Sequence, residues 1–378
     1  MRFSVIIPVY NVAPYLRACL DSVCAAVQEL ECRVGVGERT DHPSVEVICV
    51  DDGSTDGSGE ILDRLVGEMS GSGTAESKSS EPFSNSNSSL QLKVIHQENR
   101  GVSAARNAAL EMATGDWIGF VDPDDCVAAD WFRTAAELVD GHPDAQLVRV
   151  RTLQQVWDGQ SMSEALQRPL RRGAVSVYRD EAARQWGRRR FVRDGSSPLN
   201  FLRRDVIGST RYRVGLRIGE DGLFFLEIAR KLSCAVESDH SGYLYRIHAD
   251  STLHRFRQTE HGVDFARALL ELERPEDVPD FSRALGYNLV RWASEDGRAD
   301  GYDGNACPLR QLWREETAKG RIQVWALSWW WRPGVRRWLR TGDLGLLMRT
   351  WRIRVKVGGW ILQTGRAFLG RRWTRQSI

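Results

Sequence analysis

Short apolar runs alternate with segments in which apolar residues return every three or four positions, and this rhythm sets the first 150 residues. Val5-Ile6-Ile7-Pro8-Val9 is an unbroken apolar run that ends at Tyr10 and Asn11. A run without polar interruptions suits a strand buried on both faces, as in a parallel sheet. Tyr15, Leu16, Leu20, Val23 and Val27 then fall at helical spacing and predict a helix over 13–27. The pair recurs. Val45–Val50 predicts a second strand, followed by a helix over about 59–69 with Ser58 as its cap. Leu92–His96 predicts a third strand with a helix over 104–113. Trp117–Val121 predicts a fourth, followed by a helix over 129–139 and a strand over 146–150. Regular strand–helix alternation with short links predicts an α/β sheet, parallel in its first half.

In such sheets ligands bind beyond the carboxyl ends of the strands. The polar loops 8–11, 51–56, 97–103 and 122–125 all fall at that edge. In the last of them an apolar strand stops at Asp122-Pro123-Asp124-Asp125, three carboxylates within four positions. Such a cluster is unfavourable unless a cation or a hydrogen-bonding ligand sits among the side chains. Asp122 and Asp124, one residue apart, can direct oxygens at a single hard divalent ion. Pro123 has no N–H for a ladder and suits a strand end. A lone acidic turn would mean little; four acidic or amide-rich loops on one edge make a site. Further on, Glu220 and Asp221 open an apolar helical segment over 223–232, where the helix dipole favours negative charge, so a capping role competes with a chemical one. Tyr243–His248 alternates like a strand.

Other stretches break the pattern. Residues 70–89 are rich in Gly, Ser and Asn and predict a mobile surface loop, and 31–44 a shorter elaboration. The arginine-rich 151–217 is expected to flank an acceptor, or to be a solvated surface. Segments 263–272 and 281–292 predict amphipathic helices. The chain of 378 residues has a formal charge of +2, but this hides an asymmetry. From Lys319 onward there are 14 Lys and Arg against Asp343 alone, together with 8 of the 14 tryptophans. Residues 1–318 keep 38 basic and 49 acidic residues, a balance of −11. Arginine and tryptophan at helical spacing fit a segment lying in a membrane interface, with rings at headgroup depth and cations on anionic phosphates. The alternative is a helical subdomain whose tryptophans are core. Residues 352–357 alternate with period two, which admits a strand. No nucleic-acid motif accompanies the basic tail, so no nucleic-acid partner is expected. No window reaches the roughly 18 apolar residues of a transmembrane helix. The seven cysteines contain no C-x-x-C pair, which fits reduced thiols in the cytosol.

Five elements occur in a telling order: Val5–Asn11, Val50-Asp51-Asp52-Gly53-Ser54-Thr55-Asp56, Asn99-Arg100-Gly101-Val102-Ser103-Ala104-Ala105-Arg106-Asn107, Phe120–Asp125 and Glu220-Asp221. With them the chain resembles the family 2 inverting glycosyltransferases of bacterial surface-polysaccharide type. The resemblance implies a GT-A fold, a Rossmann-like mixed α/β sheet flanked by helices, over residues 1–254. Residues 255–378 would form a mainly helical extension whose basic tail, from about 319, the family pattern does not cover. It also implies roles. Pro8, Tyr10 and Asp52 would hold the base and ribose of a nucleotide sugar, with a UDP-sugar the expected donor. Arg106, with Asn99, would face the nucleotide or its phosphates, unless it is a plain surface arginine. Asp122 would touch the donor and, with Asp124, hold Mg²⁺ or Mn²⁺ against the diphosphate; His248 would be a further metal contact or a structural residue. Asp221 would be the catalytic base, although spacing does not separate it from Glu220. The acceptor would be a hydroxyl of a glycan or lipid-linked glycan, used by a cytoplasmic enzyme peripheral to the inner face of the membrane. Three rivals remain at this level. A sugar nucleotidyltransferase would need a glycine-rich loop where Pro8-Val9-Tyr10-Asn11 stand. The others are a nucleotide-sugar-binding module without turnover, and a protein acting on membrane or nucleic acid through its tail.

Overall fold

The computed structural model describes residues 1–34, 43–69, 90–150, 153–157, 161–166, 173–194, 197–240, 242–248, 258–272, 308–319 and 332–341. The insert 70–89, most of the elaboration 31–44, the helix expected over 281–292, the strand expected over 352–357 and most of the tail lie outside the described residues. The chain divides into two compact units, Met1–Arg255 and Phe256–Ile378.

The first unit opens as the apolar rhythm predicts, with β1 (Arg2–Val9), α1 (Ala13–Val34), β2 (Ser44–Asp51), α2 (Ser58–Met69), β3 (Leu90–His96), α3 (Val102–Met112) and β4 (Trp117–Phe120). Next come β5 (Cys126–Val127), α4 (Trp131–Gly141), β6 (Leu147–Val150), β7 (Leu153–Trp157), α5 (Met162–Leu166), β8 (Val175–Arg179) and α6 (Asp180–Asp194). The unit ends with β9 (Asn200–Arg203), α7 (Arg204–Ile207), α8 (Glu220–Ala229), β10 (Cys234–Ser238) and β11 (Tyr243–Ile247). Eight strands form one sheet in the order β3-β2-β1-β4-β9-β6-β10-β8, and β5-β11-β7 form a small second sheet. The strands β3, β2, β1 and β4 are parallel; β9 runs antiparallel to both β4 and β6. The β9 strand, the edge strand β8 and helix α6 arise from the arginine-rich stretch that showed no clear period, because their apolar residues are too few to outvote the charges.

Two apolar clusters line the sheet. Leu16, Leu20, Val23 and Val27 of α1 join Phe3, Trp131, Phe132 and Phe201 in one, and Ala105, Phe120, Phe224 and Phe225 join Ile6 and Ile48 in the other. At the amino ends of the parallel strands one carboxylate, Glu46 of β2, is fully buried. It accepts from Lys93 Nζ (2.6 Å), Ser4 Oγ, Thr114 N (2.6 Å), Thr114 Oγ1 (2.9 Å) and Gly115 N (3.1 Å). Burial alone would raise its pKa, but the bonds from Lys93, Ser4 and Thr114 outweigh it and pull the value down to about 2.

In the second unit α9 (Gln258–Leu272), α10 (Pro308–Ala318) and α11 (Arg332–Thr341) are described. Within α11, Val335 and Trp338 are buried while Arg336, Arg337 and Arg340 are exposed. Trp338 meets Trp313 edge-on at 6.2 Å between ring centroids, and its carbonyl accepts Arg310 Nε at 2.7 Å. Trp338 is therefore a core residue of this unit rather than an interfacial one. The other tryptophans of the tail lie outside the described residues. Among the described residues no helix is long and apolar enough to cross a membrane. Cys19, Cys24, Cys49, Cys126 and Cys234 are buried free thiols.

Candidate active site

The site lies beyond the carboxyl ends of β1, β2, β3 and β4. The first two loops are stitched together. Asn11, at a φ of 51°, accepts Thr55 N through Oδ1 (2.8 Å), and its own amide donates to Ser54 Oγ (3.1 Å). Asp56 accepts the first amides of two helices, Ala13 N (2.9 Å) and Ser58 N (3.0 Å). Asp56, not Ser58, thus caps α2, because Ser58 is already helical and its hydroxyl is bonded to Asp56 and to Val12 N. Gly53 needs its φ of +75°, and an added Cβ would meet Asn99 N at 2.9 Å.

Among the residues expected to hold the nucleotide, Tyr10 and Asn99 are exposed at this edge. Pro8 is buried inside β1, opposite Val50, so it shapes the strand end rather than offering a surface. Asp52 is 2% exposed. Its oxygens accept Gln97 Nε2 (2.6 Å), Arg100 N (2.9 Å) and Gly101 N (2.7 Å). It is the organiser of the 97–101 loop, because a buried carboxylate draws in the donors this tight turn offers, one side-chain amide and two backbone amides.

Arg106 differs most from expectation. It is 3% exposed and faces carboxylates, not an open phosphate site. Nη1 donates to Asp221 Oδ1 at 2.7 Å and to Glu220 Oε1 at 3.0 Å, and Nη2 donates to Asp122 Oδ1 at 3.2 Å. Its guanidinium also lies over the Tyr212 ring, 5.2 Å from the centroid. The cause is charge: a buried guanidinium is tolerable only when paired. Even so, one cation does not offset three carboxylates. Burial, reinforced by Asp221 and opposed by Arg106, pushes Glu220 up to about 7. Burial, opposed by Arg106 but aided by Asp124 and Asp221, pushes Asp122 up to about 6. Glu220 and Asp221 occupy the first turn of α8, as its dipole favours, and both reach Arg106, so the capping and chemical readings coexist.

The three carboxylates after β4 have different duties. Asp125 is fully buried and closes the turn, accepting Tyr243 O–H (2.8 Å) and Arg246 N (2.8 Å), while Tyr243 Oη accepts Asp122 N (3.1 Å). Asp124 Oδ2 faces His248 Nε2 at 3.0 Å. The joint orientation of Asp122, Asp124 and His248 on one ion is not what the structure has. Asp122 turns to Arg106 and Asp124 to His248, each to its nearest donor, and no group of three or more metal-ligating side chains converges among the described residues. The donor set nevertheless fits a hard divalent ion. Asp122 Oδ2 and Asp124 Oδ1 have no hydrogen bond among the described residues, the two residues are one apart, and an imidazole stands beside them.

Sequence reasoning missed Tyr212, Tyr243, Arg246 and Ser197. Tyr243 and Arg246 lay in a predicted strand but gave no sign of their reach; Tyr212 and Ser197 sit in segments without a motif.

The model of the family described as glycosyl transferase family 2 matches residues 4–197. The glycosyltransferase GlyA of Streptococcus pneumoniae is 35% identical over 133 residues, 35% of this chain and 14% of that protein. An uncharacterized glycosyltransferase of Escherichia coli, YibD, is 24% identical over 309 residues, 77% of this chain and 78% of its own. A crystal structure of Staphylococcus aureus TarS, residues 1–349, superposes with a TM-score of 0.57 at 18% identity, covering 95% of this chain and 92% of that one. The chain belongs to glycosyl transferase family 2, and its fold is the GT-A fold of such enzymes. Its match spans about a seventh of GlyA and 29% of the Bacillus subtilis glycosyltransferase EpsJ.

Proposed function

We propose that the protein is a metal-dependent inverting glycosyltransferase that moves a sugar from a UDP-sugar to a hydroxyl of a glycan or lipid-linked glycan during surface-polysaccharide synthesis. The observation that carries this reading is the Arg106 bridge. One guanidinium joins Asp122, at the end of β4, to Glu220 and Asp221, at the start of α8. A carboxylate suited to the donor's diphosphate and metal therefore stands within one side chain's span of a carboxylate pair suited to proton removal.

Tyr10 and Asn99 would frame the base, with Asp52 holding the loop that carries Asn99. Asp122 and Asp124, with His248, would hold Mg²⁺ or Mn²⁺. Such an ion supplies Lewis-acid offset of the charge on the departing diphosphate. Asp221 would accept the acceptor hydroxyl's proton as that oxygen attacks the anomeric carbon from the face opposite the leaving group, a single displacement that inverts configuration. Asp221 is preferred to Glu220 as the base because both of its oxygens are held, Oδ1 by Arg106 and Oδ2 by the Ser197 amide. The TarS structures include complexes with UDP and with UDP-GlcNAc, which supports a UDP-sugar donor here. Residues 1–254 would be the catalytic domain. The exposed Arg336, Arg337 and Arg340 would rest on anionic headgroups, placing the enzyme at the cytoplasmic face of the membrane.

The test is a panel of nucleotide sugars, each assayed for binding and for slow hydrolysis with Mn²⁺ and then with a chelator. Metal-dependent release of one nucleoside diphosphate is expected. Failure of every donor to bind would overturn the reading.

A further inference from the structure

The base side of the site is built on a residue that no motif marks. Ser197 opens a single helical turn, Ser197–Leu199, immediately before β9, and is fully buried. Its amide donates to Asp221 Oδ2 at 3.2 Å, and its hydroxyl pairs with the Tyr212 hydroxyl at 2.8 Å. Over the Tyr212 ring lies the Arg106 guanidinium, whose Nη1 holds the other oxygen, Asp221 Oδ1, at 2.7 Å. Two paths that start at Ser197 thus end on the two oxygens of one carboxylate.

Both paths are anchored. Tyr212 stacks on Phe224 at 4.1 Å with the rings 7° from parallel. Its backbone is clasped by Asn107, which accepts Tyr212 N at 2.8 Å and donates to Tyr212 O at 2.8 Å. Behind the turn, Asn200 donates to Ser197 O at 3.4 Å and accepts Arg149 Nη1 at 3.0 Å, with Arg149 buried in β6. A carboxylate bonded through one oxygen can rotate; one bonded through both has its plane set. Reacting groups need placement within about 0.5 Å of the productive geometry, so this restraint matters to a base.

We propose that Ser197 is the positioning residue for the catalytic base: its amide fixes one oxygen of Asp221, and its hydroxyl, through Tyr212, steadies the Arg106 that fixes the other. The inference rests on the reading of Asp221 as the base. It assigns the turn before β9 a share in turnover rather than in donor binding, since Ser197 and Tyr212 touch Asp221 and Arg106 directly and reach Asp122 only through Arg106.

Ser197→Ala and Tyr212→Phe delete the same hydroxyl–hydroxyl bond while keeping the Ser197 amide and the Tyr212 ring. With UDP-GlcNAc and Mn²⁺ as the probe, each is expected to lower kcat for UDP release by about tenfold per folded molecule and to leave the donor KM unchanged. The double variant should fall no further than either single one, because both remove one link. Additive losses, or unchanged kcat in both singles, would overturn the proposal, as would losses confined to thermal stability. Asp221→Asn run alongside separates the two levels. If it abolishes release while the singles match wild type, only the role of Ser197 falls; if it retains release, the base assignment falls and this inference with it. A crystal structure of the double variant gives a readout independent of turnover. The Asp221 carboxylate is expected to rotate about its surviving bond to the residue 197 amide, shifting Oδ1 relative to Arg106, and an unmoved carboxylate would count against the proposal.

Discussion

The two ends of the same sheet treat their carboxylates in opposite ways, fully buried at one end and partly buried at the other. At the amino end Glu46 is surrounded by donors from β1, β3 and the turn before β4, and its pKa falls to about 2 despite burial. At the carboxyl end Asp122, Glu220 and Asp221 share the single guanidinium of Arg106, and burial with mutual repulsion lifts Glu220 to about 7 and Asp122 to about 6. The first arrangement is complete in itself and ties strands together. The second lacks positive charge, which a divalent cation of the kind proposed above would supply. Polar burial that is satisfied internally marks structure; polar burial left short of partners marks the place where a ligand belongs.

This contrast can be broken most sharply at Asp221. Asp221→Asn is expected to cut transfer by about a thousandfold with the fold intact, read as nucleoside diphosphate release. Turnover near wild type would hand the base role to Glu220. Glu46→Ala should do the reverse, leaving the site's chemistry alone but removing about 3–5 kcal/mol of stability, because Lys93 loses its carboxylate and buried amides lose their acceptor. An unfolding free energy from urea titration lowered by less than a third of that would show the Glu46 cluster to be dispensable.

The pH dependence of stability should separate the ends again. Glu46 has a folded pKa below its ordinary value, so its contribution is fully present above about 4.5 and is lost as pH falls toward about 2. Glu220 has a folded pKa near 7, above its ordinary value, so the folded protein binds a proton there more tightly than the unfolded chain does. Stability should therefore rise as pH falls from about 7 toward about 4.5, then decline. Glu220→Gln should weaken the first limb, leaving the share of Asp122, whose pKa is also raised, and Glu46→Gln should flatten the second, as measured by urea titrations across pH. The smallest effect is expected from Glu220→Gln at pH 7. It relieves crowding without a cavity, so the unfolding free energy should stay within about 1 kcal/mol of wild type or exceed it.

Much of this was readable along the chain. The parallel half of the sheet followed from unbroken apolar runs such as Val5–Val9, and the acidic stop after Trp117–Val121 marked the site edge. The family motifs brought Asp122, Asp124, Glu220 and Asp221 into one expectation, and the structure gathers three of these four around Arg106. What the residues could not reveal was direction. Arg106 reads equally as a nucleotide or phosphate ligand and as a surface arginine; only the approach of α8 to α3, contributed by segments more than 100 positions apart, makes it a clamp. Asp52 reads as a ligand until its loop folds back and supplies two amides.

The sequence by itself determined the strands that alternate with helices, the edge where their loops meet and the kinds of group placed there, because periodicity and local charge act over a few residues. Tertiary structure decided which carboxylate pairs, which titrates and which closes a turn. It also decided that Ser197, Tyr212 and Tyr243 serve the site and that Trp338 is core. Those outcomes depend on burial and on partners distant in sequence, and both come into being only when the sheet is assembled.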